Sequence, residues 1–216
     1  MKPNRLKERM LAKDPTLLNG WLTLGSVAAA ELMSRQAWDA LTIDMQHGLA
    51  DFDTALNMLR AMSSSEVTPM VRVPWLDPAI IMRVLDAGAY GVICPMINTR
   101  AQCEEFVACC RYAPQGARSF GPTRAPLYAG DDYWKHANQT VLTWAMVETR
   151  QAVEAVDAVV LFDEDTPLEA GLGFAVAWDK PGGFVGRDAL LEFKAQGPPR
   201  NRVVNLFVDE IGRAHV

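Results

Sequence analysis

Short apolar runs alternate with amphipathic segments along the first 156 residues of the chain. The apolar runs have the length of buried strands and lie at 21–24, 40–44, 68–73, 91–94 and 140–147. Each run precedes a segment with apolar residues at helical spacing, and these segments lie at 28–34, 52–59, 77–87, 99–110 and 149–156. A long polar loop is expected at 114–132. Five successive strand–helix units predict a parallel sheet covered by helices.

Such a sheet can be an open doubly wound sheet or a barrel. No G-x-G-x-x-G turn follows the first predicted strand, which disfavours a dinucleotide-binding fold. Ionisable residues follow the second, third and fifth strands, as they do at the upper face of a (β/α)8 barrel. A complete barrel takes about 250 residues, so the alternating part of this chain supplies about five of the eight units. The fold class we expect is α/β, a partial (β/α)8 TIM barrel.

The pattern changes after residue 160. An acidic stretch gives way to glycine-punctuated segments, in which a strand at 174–178, a short helix at 188–195 and a strand at 202–208 are predicted. The spacing of glycine and proline leaves no room for further βα units. We therefore expect a small extra C-terminal element that does not complete the barrel.

The amino-acid composition argues against some kinds of binding partner and some cellular locations. The chain has 216 residues, a net charge of −5 and 50% hydrophobic residues, so it can bury a core. It carries no basic stripe, which argues against nucleic acid as a partner, and no apolar run reaches the ~20 residues of a membrane span. No apolar segment of a secretory signal follows the basic start. The four cysteines (Cys94, Cys103, Cys109 and Cys110) form no C-x-x-C pair, which favours reduced thiols in a cytoplasmic protein.

Chemistry is concentrated where predicted strands end. Asp44 and His47 follow the second strand, Arg72 ends the third, and Glu148 follows the fifth. A single ionisable group at a strand end can simply face solvent, but three strand ends in register favour a common site at the carboxyl edge of the sheet. An acid beside a histidine is suited to moving protons near neutral pH.

Six short motifs carry a resemblance to a known family: Ile-Asp-Met-Gln-His-Gly at 43–48, Val-Arg-Val-Pro at 71–74, Leu-Asp-Ala-Gly-Ala at 85–89, Cys-Pro-Met at 94–96, Arg-Ser-Phe-Gly-Pro-Thr-Arg-Ala at 118–125 and Val-Glu-Thr at 147–149. From about residue 21 to 157 the chain resembles the class II, metal-dependent pyruvate aldolases of the 4-hydroxy-2-oxoheptanedioate aldolase family. The resemblance covers about two-thirds of the sequence.

The resemblance implies a role for each strand-end residue. His47 matches the catalytic base, Asp44 the acid that orients it, and Arg72 the arginine that holds the pyruvyl oxygens. Glu148 matches the first protein ligand of a divalent metal, Mg²⁺, Mn²⁺ or Co²⁺. The family's second metal ligand is an aspartate in a Gly-Pro-x-Asp-Leu motif, which this sequence lacks. Met146 stands where the family often has glutamine.

The activity implied is carbon–carbon lyase chemistry, the metal-dependent cleavage of 4-hydroxy-2-oxo acids to pyruvate and an aldehyde. A small 2-oxo acid substrate and a homo-oligomer are implied with it. Because the second carboxylate ligand is missing, weak or absent turnover is expected of this chain. Arg118 and Arg124 could guide an anionic substrate or could belong to a solvated loop.

The C-terminal part resembles a different family. The segments at 166–173 and 183–190 are similar to the C-terminal part of folate-dependent aminomethyltransferases and of dimethylglycine dehydrogenases. Residues 211–216 are expected to be a non-native tail. The resulting hypothesis is a chimera of a truncated aldolase barrel at 1–160, an aminomethyltransferase-like fragment at 161–210 and this tail. The alternative functions are a folate-dependent aminomethyl-transfer module and a non-catalytic chimeric product.

Overall fold

The computed structural model describes residues 1–12, 16–155, 195, 202–205, 207–210 and 213–215. Six strands form one parallel sheet in the order β5-β4-β3-β2-β1-β6. Their bounds are β1 Thr16–Leu22, β2 Ala40–Asp44, β3 Thr68–Arg72, β4 Gly91–Cys94, β5 Leu142–Ala145 and β6 Arg202–Asn205. Two further strands, β7 Phe207–Glu210 and β8 Arg213–His215, pair with each other in antiparallel fashion.

Eight helices are described, most of them between consecutive strands. Their bounds are α1 Arg5–Leu11, α2 Val27–Ser34, α3 Phe52–Met62, α4 Pro78–Asp86, α5 Arg100–Cys110, α6 Ala125–Ala129, α7 Tyr133–Thr140 and α8 Arg150–Glu154. The five predicted βα units are confirmed, and the described elements form a partial (β/α)8 barrel. No described helix is long and apolar enough to cross a membrane.

Local sequence signals explain several element boundaries. The side chain of Asp77 caps α4 by accepting a hydrogen bond from the N–H of Ala79, and Pro78 occupies the first helical position. Gly88 then ends the helix with a φ of 104°, in the left-handed region that suits glycine. Thr99 and Gln102 form a reciprocal capping box at the start of α5.

The structure corrects four expectations. Strand β1 begins at Thr16 rather than at residue 21, because the polar Asn19 interrupts the apolar pattern and finds its partner in the buried Thr42 hydroxyl of β2. Helix α1 was not predicted, since its seven residues bury only Leu6. The expected loop at 114–132 contains α6. The expected fifth strand at 140–147 shortens to β5, because Thr140 ends α7.

The C-terminal part contributes one strand to the sheet. Residues 202–205 pair in parallel with β1, from Thr16 opposite Arg202 to Asn19 opposite Asn205. The predicted strand at 202–208 is thus divided between β6 and β7. In the part of the chain that the structure describes, β5 and β6 are the two outer strands, so these elements do not close a barrel. The expected strand at 174–178 lies outside the described residues, as does the expected helix at 188–195 except for its last residue.

Alternation along the strands gives the sheet two different faces. Leu41, Ile43 and Val71 point to the helical side and pack with α3, α4 and α5 in the main core. Ala40 and Met70 point to the other face, where a smaller cluster includes Leu6 of α1. Because every second side chain along a strand lies on the same face, Asp44 and Arg72 belong to this second, inner face, at the carboxyl ends of their strands. The strand register and the alternation of side chains therefore place Asp44 and Arg72 side by side on one surface.

Candidate active site

A buried ion pair forms the centre of the site. Asp44 ends β2, Arg72 ends β3, and the two residues stand opposite each other in the strand register. Arg72 donates from Nε to Asp44 Oδ1 over 2.9 Å and from Nη2 to Oδ2 over 2.6 Å, a two-pronged geometry. The side chain of Asp44 is 1% exposed and that of Arg72 is 11% exposed. The pair is therefore largely desolvated and fixed in orientation.

The Asp44 carboxylate also organises the turn after β2. Its Oδ1 accepts hydrogen bonds from the backbone N–H groups of Gln46 and His47, over 3.0 and 3.3 Å. Burial alone would raise the pKa of Asp44, but the hydrogen bonds from Arg72 and from the turn outweigh it and hold the pKa below its ordinary value of 3.8. Asp44 is therefore a carboxylate anion at neutral pH.

His47 projects from this turn into solvent. Its side chain is exposed, and Asp44 contacts its backbone N–H. The resemblance implied that Asp44 orients the His47 imidazole, but among the described residues no hydrogen bond joins the two side chains. The reason is that both Asp44 oxygens already serve Arg72 and the turn. Gly48 completes the turn because a Cβ there would overlap the carbonyl oxygen of Asp44.

Arg72 retains donor capacity on the inner face. Nη1 meets the sulfur of Met146 at 4.0 Å, a weak acceptor. The guanidinium also lies 4.9 Å from the centre of the Trp21 ring, within cation–π range. Among the described residues, no oxygen acceptor faces Nη1. The arginine is thus anchored by one edge while other N–H groups stay available to a ligand.

Glu148 follows β5 at the same carboxyl edge of the sheet. Its Oε2 accepts a hydrogen bond from the backbone N–H of Met96, over 2.9 Å, and its side chain is exposed. The described residues contain no group of three or more His, Cys, Asp or Glu that could hold a metal ion. Asp163 and Asp165, which could replace the missing second carboxylate, lie outside the described residues. Glu148 is therefore a metal-ligand candidate at this edge that belongs to no described group of three such ligands.

Arg118 and Arg124 lie away from this edge. Arg118 donates to Asp86 Oδ1 over 2.7 Å and to the Tyr133 hydroxyl over 2.9 Å. Arg124 donates to the carbonyl oxygen of Ala87. Asp86 ends α4 and Ala87 is its C-cap, a few residues before β4 begins, so both arginines bind at the amino edge of the sheet. Guidance of an anionic substrate, one of the two roles that the sequence left open, does not fit this position, and Arg118 is buried rather than solvated.

The cysteines are internal thiols. All four are free and buried. Burial, with the neighbouring Cys109 and Cys103 thiols, raises the pKa of Cys94 to about 12, and burial raises that of Cys110 to about 12. At neutral pH these two groups are protonated and poor nucleophiles.

Three further residues belong to the surroundings of the site. The ring of Trp21 covers Arg72, Asn98 ties the loop after β4 to the loop after β5, and the side-chain oxygen of Gln46 is buried with no donor among the described residues. Only Gln46 carried a sequence signal, its position between Asp44 and His47. The roles of Trp21 and Asn98 depend on contacts between distant elements.

Comparison with known proteins identifies the family. The model of the HpcH/HpaI aldolase/citrate lyase family matches residues 19–168, which extends eight residues past the boundary expected at 160. The chain is 44% identical over 146 residues to the hydroxypyruvate/pyruvate aldolase of Rhizorhabdus wittichii RW1, covering 68% of this chain and 58% of that protein. It is 31% identical over 180 residues to the 5-keto-4-deoxy-D-glucarate aldolase of Escherichia coli O139:H28, covering 79% and 70%.

Solved structures agree with the fold. A HpcH/HpaI aldolase/citrate lyase family protein from Burkholderia cenocepacia J2315 superposes with a TM-score of 0.70 at 26% identity, covering 94% of this chain and 92% of that one. Macrophomate synthase superposes with a TM-score of 0.68 at 22% identity, covering 93% and 82%, and supports the fold alone. On the family match over more than two-thirds of its length, the chain belongs to the HpcH/HpaI aldolase/citrate lyase family.

Proposed function

We propose that the carboxyl edge of the sheet cleaves a carbon–carbon bond in 4-hydroxy-2-oxo acids, releasing pyruvate and an aldehyde. The observation that carries the proposal is the Asp44–Arg72 pair, a desolvated arginine held by one edge at the end of a barrel strand. This edge is where barrel enzymes carry their active sites. The relatives named as aldolases support the reaction class, although the chain spans only 58% of the length of the R. wittichii enzyme.

Arg72 has the properties of an oxyanion holder. Asp44 fixes the plane of the guanidinium through two hydrogen bonds, so the positive charge needs no reorganisation when a substrate binds. Among the described residues, the hydrogen-bond partner of Nη1 is the sulfur of Met146, at 4.0 Å. The carboxylate and 2-oxo oxygens of a 2-oxo acid are acceptors that could replace this weak contact. Arg72 would stabilise the negative charge that develops on these oxygens during cleavage.

His47 would move the proton. The proton of the substrate's C4 hydroxyl passes to the imidazole, the C3–C4 bond breaks, and its electron pair forms the enolate of pyruvate while the aldehyde leaves. A proton then returns to C3 and completes the methyl group. The exposed side chain of His47 is free to reach a bound substrate, and its backbone is fixed by Asp44.

Glu148 would hold a divalent cation, with Mg²⁺, Mn²⁺ or Co²⁺ suited to its oxygen donors. The described residues offer no group of three such ligands, so the ion would be weakly held and would complete its shell with water and substrate oxygens. When bound, such an ion supplies Lewis-acid polarisation of the 2-oxo group. Glu148 contributes a carboxylate whose Oε2 is already oriented by the N–H of Met96.

Pyruvate release, coupled to lactate dehydrogenase, tests the proposal with a panel of 4-hydroxy-2-oxo acids and Mn²⁺. We expect slow, EDTA-sensitive release, at least ~10-fold slower than that of the R. wittichii aldolase, because the sequence lacks the Gly-Pro-x-Asp-Leu motif that carries the family's second metal ligand. His47→Ala should abolish release. His136→Ala is the matched control, since His136 is also exposed but lies on α7. Equal rates for His47→Ala and the unsubstituted chain would overturn the proposal.

A further inference from the structure

Hydrogen bonds join the loop after β4 to the loop after β5. Met96 N–H donates to Glu148 Oε2 over 2.9 Å. The Thr149 hydroxyl donates to Asn98 Oδ1, and Asn98 Nδ2 donates to the carbonyl oxygen of Met96 over 2.9 Å. The contacts form a closed circuit, because Glu148 and Thr149 are neighbours in the chain. We call these three hydrogen bonds the loop clamp.

Met96 sits in this circuit with an unfavourable backbone conformation. Its φ is 57°, and it is the one described residue other than glycine with a positive φ. A side chain with a Cβ disfavours this left-handed region, so the surrounding structure must hold it there. The hydrogen bond from Asn98 to the Met96 carbonyl oxygen does so directly. Strained backbone held by its neighbours is concentrated at functional sites.

We propose that Asn98 and Thr149 are positioning residues that hold the Met96 N–H against Glu148 and thereby orient its carboxylate for a divalent cation. This inference rests on the proposed function, which assigns the cation to Glu148. The N–H engages Oε2 and leaves Oε1 without a donor among the described residues. A carboxylate whose rotation is fixed loses less conformational freedom when it binds a metal, because that freedom is already restricted.

The clamp differs from a simple helix cap. The Thr149 hydroxyl also accepts from the N–H of Ala152 and so caps α8. Asn98, in contrast, takes no part in that cap through its side chain, and its own backbone N–H bonds Gln102. Substituting Asn98 therefore removes two of the three hydrogen bonds of the loop clamp while the caps of α5 and α8 remain.

The test measures Mn²⁺ binding to the full chain by electron paramagnetic resonance in the presence of pyruvate. We expect Asn98→Ala to weaken Mn²⁺ affinity about 10-fold, the lower end of the range for partners that orient metal ligands. Thr149→Val should weaken it similarly, and Thr149→Ser should retain it because the hydroxyl remains. Asn57→Ala is the matched control, since Asn57 bonds only within the exposed face of α3. Urea unfolding of each variant reports on the fold.

The outcomes separate this inference from the function beneath it. Loss of binding in Glu148→Gln together with unchanged affinity in Asn98→Ala would overturn the clamp and leave the proposed function intact. Unchanged binding in Glu148→Gln would overturn both. If Asn98→Ala fails to fold, the comparison of Thr149→Val with Thr149→Ser decides, and equal affinity in these two variants would count against the clamp.

Discussion

Replacing Asp44 with asparagine removes one charge of the buried pair and leaves its shape. The side-chain oxygen of asparagine can still accept from the N–H groups of Gln46 and His47, so the turn keeps its hydrogen bonds. Arg72, only 11% exposed, loses its counter-charge. Breaking a buried ion pair by removing one partner costs about 3–5 kcal/mol. For a domain of this size the midpoint of thermal unfolding should fall by roughly 6–20 °C.

A double-mutant cycle isolates the contribution of the pair. Arg72→Met alone leaves the Asp44 carboxylate buried and unpaired, and should cost a similar ~3–5 kcal/mol. In Asp44→Asn combined with Arg72→Met both charges are absent, so the cost should be well below the sum of the single costs. Urea unfolding followed by circular dichroism supplies the free energies. The control is Glu104→Gln, which breaks an ion pair exposed by 66% and 55% and should leave stability unchanged.

Two results would refute this reasoning. If the single costs add in the double variant, Asp44 and Arg72 do not interact in solution as they do in the structure. If Asp44→Asn costs less than ~1 kcal/mol, Arg72 is adequately solvated and its charge is not held in a desolvated site.

Three other expectations follow from the described contacts. The pKa of Asp44 is lowered in the folded state, so the Asp44 carboxylate stabilises the fold above the ordinary value of 3.8, and this stabilisation is lost as pH falls through the folded value. The unfolding free energy should therefore fall less steeply with acid pH in Asp44→Asn than in the unsubstituted chain. The buried thiols, including Cys94 and Cys110, should react with Ellman's reagent only on unfolding, whereas fast reaction of the native chain would contradict their burial. Gly48→Ala, whose Cβ would overlap Asp44 and approach Thr23, should lower the unfolding free energy by ~1–3 kcal/mol, measured in urea, and an unchanged value would show that the turn is loose.

The local pattern of apolar and polar residues was sufficient to predict β2, β3 and β4 and the helices that follow them. The strands β2, β3 and β4 are buried along nearly their whole length, and each is followed by a helix whose N-cap side chain accepts a backbone hydrogen bond. Alternation by twos then places Asp44 and Arg72 on one face at neighbouring strand ends. Their ion pair could have been predicted from these two facts. The resemblance instead implied a contact between Asp44 and the His47 side chain, and the spacing of three residues does not reveal a turn that uses the backbone.

Features that depend on distant contacts carried no such signal. The sequence places Arg118 in a predicted polar loop, yet its side chain is buried and donates hydrogen bonds to Asp86 of α4 and Tyr133 of α7. Met96, in its left-handed conformation, also bonds Glu148, 52 positions away in the chain, and no local rule connects these two residues. Pairing of β6 with β1 joins residues about 186 positions apart, and local periodicity cannot indicate a partner at that distance.

Exchange of the pyruvate methyl protons with deuterium tests the central claim most directly. Enolate formation at this site is the step that every aldehyde partner shares, and exchange requires only pyruvate, the cation and the chain. Proton NMR in D₂O with Mg²⁺ should show loss of the methyl signal catalysed by the chain, sensitive to EDTA and absent in His47→Ala and Arg72→Met. The His136→Ala control should exchange at the rate of the unsubstituted chain. Absence of catalysed exchange by the folded, unsubstituted chain, or exchange that persists in His47→Ala, would contradict the account.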